Sequence, residues 1–145
     1  MGKLTSVIYS ESKKYGYTPL LLLALIKTES SFRQKIESDQ GAKGLLQLRP
    51  YVAYDVAKRS QLSWQGDDPL FDSEFNIKVG SLYLFELILK FQDVRKALIA
   101  YNQGEGSLRY KMKFGHGMPR FFYQRFVENY RLLKRKYDSI TLEQA

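Results

Sequence analysis

Apolar residues recur at helical steps along most of the chain, and no run alternates with the period of two that a half-buried strand needs. Leu4, Val7, Ile8, Ser12 and Tyr15 fall at helical spacing, and Gly16 closes that segment as a C-cap. Thr18 followed by Pro19 is an N-cap and first-turn pair, and the residues they open, Leu20 to Ile26, are apolar on every side. That pattern predicts a helix sunk in the core, fraying near Ser30-Ser31. Gly41 and Gly44 mark an irregular stretch before Pro50 starts a short amphipathic helix to about Lys58. Gln61 to Leu70 reads as loop. Asp72 caps a long helix with Phe75, Val79, Leu82, Leu87 and Phe91 at helical steps, and Asp93 opens another that runs to Asn102. Gly104 and Gly106 end it, a Gly-rich loop is expected through Gly117, and Pro119 begins a last helix. The expected fold is all-α, a single domain of about six to seven helices around a buried central helix.

Composition narrows the chemistry. The chain has 145 residues, a length suited to one domain, and no repeat or Pro/Ser/Gly linker divides it, so residues 1–145 read as one unit. There is no Cys and a single His, His116, which removes thiol nucleophiles, thiolate zinc sites and His-based triads together. Catalysis must then rest on carboxylates, hydroxyls, amides or Lys. Lys and Arg total 23 against 15 Asp and Glu, a net charge of +8 that suits polyanionic partners: nucleic acid, an anionic membrane or an acidic cell-wall polymer. The longest apolar run, Leu20 to Ile26, is too short to span a bilayer, and Met1-Gly2-Lys3-Leu4 does not open a secretory signal. The chain is therefore expected to be either cytosolic or a mature domain with its leader removed.

Glu29 is the residue with the most chemical promise. One and two helical turns back from it stand Leu25 and Leu22, so its carboxyl shares their apolar face. Burial there, and the negative end of the helix dipole, both disfavour the anion and raise the proton affinity of Glu29, as a general acid requires.

Glu29-Ser30-Ser31-Phe32 is followed in order by Ser38, by Gly44-Leu45-Leu46-Gln47-Leu48-Arg49-Pro50, by Asn76 through Gly80, and by Ala100-Tyr101-Asn102-Gln103-Gly104. In that sequence of motifs, from about Ser6 to Tyr137, the chain resembles the family 1 lytic transglycosylases of bacterial cell-wall metabolism, which carry a lysozyme-like fold. The resemblance implies that Glu29 is the single catalytic acid. Ser38, nine residues on, matches a hydroxyl that holds the sugar beside the scissile bond. Gln47 matches the Gln of a Gly-Leu-Met-Gln block, Tyr101 and Asn102 an Ala-Tyr-Asn block whose Tyr faces the reacting sugar, and Tyr130, with Asn129, the closing motif. Asn76 and Gly80 match a helix motif read as structural. Leu46 stands where the family usually has Met and is expected to keep the groove wall apolar. Arg49 replaces a usually apolar residue, either to contact a stem-peptide carboxylate or to point to water. Met118-Pro119-Arg120 stands where members often carry Glu-Thr-Arg.

The implied substrate is the peptidoglycan glycan strand, cut at the β-1,4 bond between N-acetylmuramic acid and N-acetylglucosamine. Most glycosidases need two carboxylates, about 5 to 9.5 Å apart depending on stereochemistry. Only Glu29 is a clear candidate here, with Glu37 and Asp39 flanking Ser38 as possible second groups. In the resembling family the substrate's acetamido group fills that role and the product is a 1,6-anhydro sugar. The place of work so implied is the periplasm or cell envelope, the partner is peptidoglycan rather than nucleic acid, and a monomer is expected.

Other features read more plainly. Tyr51, Tyr54, Trp64, Tyr101, Tyr110 and Tyr123 offer flat faces suited to sugar rings, while Phe75, Phe85, Phe91 and Phe126 read as core. His116 reads as a loop residue, and the acidic group Asp67, Asp68, Asp72 and Glu74 fits no EF-hand spacing, so no metal or other cofactor is expected. The basic residues Arg131, Lys134, Arg135 and Lys136 read as a solvated helix face. Two rivals remain: a goose-type lysozyme that admits water to the same bond, and a basic helical nucleic-acid-binding module.

Overall fold

A computed structural model describes residues 2–65, 68–115, 117 and 120–144. Its α-helices are α1 (Lys3–Tyr15), α2 (Pro19–Ser30), α3 (Pro50–Arg59), α4 (Ser73–Phe91), α5 (Val94–Gln103), α6 (Glu105–Lys113) and α7 (Phe121–Gln144), with a 3₁₀ turn at Pro69–Phe71. The expected caps are in place. Gly16 takes the left-handed conformation (φ 75°) after α1, and Thr18 Oγ1 accepts from Leu20 N at 3.1 Å. Asp72 and Asp93 accept from Phe75 N and Lys96 N, each at 2.9 Å, to start α4 and α5.

Helix α2 is the buried centre. Leu22, Ala24, Leu25 and Ile26 are wholly shielded from solvent, and α2 packs chiefly against α7 and α1 while α4 packs on α1, α3 and α5. One apolar cluster runs through these helices and takes in Leu45, Leu46 and Leu48 from the irregular stretch between α2 and α3. Phe126 lies in it, and Phe75 and Phe91 pack against it, as their spacing predicts. Phe85, expected in the core, is instead half-buried outside the cluster, its ring tilted 33° against that of Tyr15 with centres 5.1 Å apart.

The region read as a Gly-rich loop contains a helix, α6, with Gly106 inside it. Apolar periodicity does not reveal α6 because Leu108 is its single buried residue. Charge holds it instead: Glu105 in the first turn pairs with Arg109 four residues on (3.1 Å) and with Lys90 of α4 (3.2 Å), while Lys111 and Lys113 sit in the last turn. His116, Asp67 and the Met118-Pro119 pair lie outside the described residues.

The stretch between α2 and α3 is built on Asn76, a fully buried polar residue of α4. Its Oδ1 accepts from Leu46 N at 2.9 Å, and its Nδ2 donates to Lys43 O and Leu70 O at 2.9 and 2.8 Å. Gly44 is a glycine for two reasons: its φ is +78°, and a Cβ there would lie 2.3 Å from Asn76 Nδ2 and 2.4 Å from Leu70 O. The structural reading of Asn76 and Gly80 holds, since a Cβ on Gly80 would meet Leu46 Cδ1 at 2.5 Å. Two isolated antiparallel bridges, Glu37 with Lys43 and Lys43 with Leu48, fold the stretch back on itself.

Candidate active site

Helix α2 ends one residue after Glu29, and its end is tied off firmly. Ser30, buried, donates its hydroxyl to Ile26 O at 3.1 Å, and Arg33 donates from both N and Nε to Ser30 O at 3.0 and 3.1 Å. Ser31 and Phe32 then take positive φ (52° and 63°), a conformation costly for side chains of this size. The chain turns sharply away, leaving the Glu29 carboxyl at the floor of a cavity of about 310 Å³.

Four of the predicted binding residues line that cavity with Glu29: Ser38, Gln47, Tyr101 and Asn102. Tyr130 does not. It lies on α7 against Phe126, ring centres 6.2 Å apart, and its neighbour Asn129 donates to Thr28 Oγ1 at 2.9 Å, so the closing motif joins α7 to α2. Leu46 also departs from expectation: it is wholly buried against Gly80 and forms no wall of the groove.

The polar groups of the cavity have defined valences. Ser38 Oγ accepts from Ala42 N at 3.0 Å, which leaves its proton to donate. Gln47 donates its amide to Ile36 O and Gly44 O at 3.2 and 3.0 Å, so its Oε1 is the group left for a ligand. Tyr101 is buried, and its hydroxyl donates to Leu46 O at 2.7 Å. It contributes a fixed wall, backed by Tyr83 with ring centres 5.3 Å away. Beyond Tyr83 a second cavity of about 420 Å³ opens between α3, α4 and the start of α6, with the exposed ring of Tyr51 at its edge.

Glu29 Oε1 is buried with no hydrogen-bond partner. Burial pushes its carboxyl up to about 8, against the pull of two guanidinium groups, Arg125 and then Arg49. The burial was legible in the sequence; the cations were not. Arg125 comes from α7, nearly a hundred residues away, and no local motif marks it. Arg49 lines the cavity rather than pointing to water. Of the possible second carboxylates, Asp39 stands exposed on the cavity edge, while Glu37 lies 3.6 Å from Lys43. Among the described residues no group of acidic or His side chains is arranged to hold a metal ion. Asp68 pairs with Lys43, Asp72 caps α4, and Glu74 pairs with Lys3 and Lys78.

An all-α domain with a carboxyl of raised proton affinity lining a polar groove, at the end of a central buried helix, is of the lysozyme-like class. The lytic transglycosylase Slt from Pseudomonas aeruginosa, solved as an inactive mutant, shares this fold with a TM-score of 0.70 and 25% identity, over 87% of this chain and 21% of that one. The chain belongs to the Transglycosylase SLT domain family, which matches residues 6–116. The membrane-bound lytic murein transglycosylase C of Cronobacter sakazakii is 36% identical over 116 residues, covering 73% of this chain and 32% of the relative. The soluble lytic murein transglycosylase of Salmonella typhimurium is 34% identical over 89 residues, 60% of this chain and 14% of the relative. This chain thus spans about a third or less of the length of these curated relatives.

Proposed function

We propose that residues 1–145 are one catalytic domain, working as a monomer, that cleaves the β-1,4 bond between N-acetylmuramic acid and N-acetylglucosamine in peptidoglycan without water and leaves 1,6-anhydromuramic ends. The observation that carries this is Glu29: a carboxyl with a buried, unpartnered oxygen lining a polar groove, where burial raises its proton affinity. Family membership and the murein-cleaving relatives support the substrate.

In the first step Glu29 gives its proton to the glycosidic oxygen and the bond from C1 to that oxygen breaks. The carbonyl oxygen of the muramic 2-acetamido group bonds to C1, forming an oxazolinium ion, so the substrate stands in for a second carboxylate. In the second step the Glu29 carboxylate takes the proton of the C6 hydroxyl, O6 bonds to C1, and the oxazolinium opens back to the acetamide. Gln47 Oε1 is the acceptor for the acetamide N–H, Ser38 donates to a sugar oxygen, and Asn102 lies beside the reacting ring; Tyr101 shapes the wall. The cavity past Tyr83 takes the neighbouring part of the strand.

Relatives of both membrane-bound and soluble kinds support a place in the cell envelope, and within it we assign the periplasm. No helix among the described residues is long and apolar enough to cross a membrane.

Digestion of purified sacculi, with fragments identified by mass, tests the reading. Wild type should release anhydromuramoyl fragments and Glu29→Gln about a thousandfold fewer, the loss expected when both proton-transfer roles of one group are removed. Reducing ends would instead indicate the hydrolase. Equal release by both proteins would remove Glu29 from the mechanism, and salt-sensitive DNA binding without any release would favour the nucleic-acid module.

A further inference from the structure

Arg49 is the N-cap residue of α3, and its side chain turns into the cavity that holds Glu29. Its Nη2 lies 3.5 Å from the carbonyl oxygens of both Tyr101 and Asn102, where the end of α5 presents partial negative charge. These are long contacts that aim the guanidinium without neutralising it. Among the described residues no carboxylate is ion-paired with Arg49. A half-buried cation without an anion therefore shares a small cavity with a buried carboxyl oxygen that has no hydrogen-bond partner.

The charged and titratable groups around Glu29 come from several elements. Arg125 approaches from α7 and Tyr101 from α5, Asp39 stands on the cavity edge, and Arg49 enters from the start of α3. Arg125 and Asp39 are exposed, so water screens them; Arg49 is not.

We infer that Arg49 is a positioning residue that serves as the counter-ion of Glu29 whenever that side chain is ionised, and so sets the balance between its acid and base roles. The inference rests on the assignment of Glu29 as the acid and base of the reaction. Between the two steps Glu29 is a carboxylate in a site where an unpaired charge is costly, and a guanidinium held in place beforehand lowers that cost without reorganisation. The same attraction weakens Glu29 as the base of the second step, so the strength of the pairing apportions the barrier between the two.

Two variants separate charge from shape. Arg49→Gln keeps a polar side chain but carries no charge, and Arg49→Lys keeps the charge. The Glu29 carboxyl is titrated in the resting protein by ¹³C NMR, assigned by its loss in Glu29→Gln, and the pH profile of kcat/KM is measured on purified glycan strands. In Arg49→Gln both the titration and the alkaline limb should move up by about one pH unit and plateau kcat/KM should fall about tenfold, while Arg49→Lys keeps both near wild type. An unmoved titration, a moved titration with an unchanged kinetic profile, or a Lys variant that behaves like the Gln variant overturns the inference. Should Arg49→Gln fail to fold by circular dichroism, Arg49→Leu is read in the same way. A fully active Glu29→Gln would sink the assigned reaction yet leave the titration to judge the pairing separately.

Discussion

At the scale of single residues, the proposed catalysis rests on a group that the fold would be more stable without. A carboxyl whose proton affinity is raised from 4.5 to about 8 by burial favours the unfolded chain once the pH passes the unfolded value. Between those two values the unfolded chain has lost the proton and the folded one has kept it, so stability falls as pH rises and levels off above the folded value. Replacing Glu29 by Gln removes that penalty. Thermal or denaturant melts should show Glu29→Gln more stable than wild type by about 2–4 kcal/mol at pH 8.5, with the gain shrinking toward zero near pH 4. A gain independent of pH would mean that the carboxyl is not desolvated. The sequence contains the reason for this shift, because Leu25 and Leu22 lie one and two turns behind Glu29 on the same face. It does not contain the cations that limit it. Arg125 reaches Glu29 only through the packing of α7 on α2, and such long-range neighbours leave no local signature.

At the scale of elements, the irregular stretch that carries Ser38, Gln47 and Arg49 is held by α4 rather than by a ladder of its own. Asn76 does the work of a missing strand, meeting Leu46 N and Lys43 O of that stretch and tying them to Leu70 O of the 3₁₀ turn. Asn76→Ala should therefore cost about 3–5 kcal/mol, the sum expected when three buried backbone groups lose their partner. Gly44→Ala should cost about 2 kcal/mol or more, since the added carbon meets Asn76 and a backbone carbonyl in a conformation that already disfavours a side chain. Denaturant melts measure both, and a loss under 1 kcal/mol in either would show that the stretch is held elsewhere. The six helices marked by apolar periodicity or by caps were legible because caps and buried faces are local properties. Helix α6 was not, because Gly104 and Gly106 read as breakers and its stability comes from pairs that periodicity ignores. The spacing of Glu105 and Arg109, with an acidic first turn and a basic last turn, was the signal available for it.

At the scale of the whole molecule, two kinds of electrostatics act at once, and ionic strength separates them. The net charge of +8 lies largely on exposed side chains, including Arg131, Arg135 and Lys136 on the far part of α7. Their summed field attracts an anionic polymer over distances comparable to the Debye length, about 10 Å at 0.1 M salt, and is lost when salt shortens that length. The field at Glu29 is different, because its Oε1 is buried and the half-buried Arg49 lines the same cavity, where bulk salt screens less than at the surface. Raising salt from about 0.05 to 0.5 M should weaken sacculus binding in a sedimentation assay, raising KM about tenfold with little change in kcat. Over the same range the alkaline limb of kcat should move by less than about half a pH unit. Substituting Ala at Arg131, Arg135 and Lys136 together should reproduce the KM effect at low salt and leave the melting temperature within a degree or two, since these residues cover no core. A limb that moves with salt as strongly as KM does would place Glu29 in contact with bulk solvent, and the separation between surface field and buried acid would not hold.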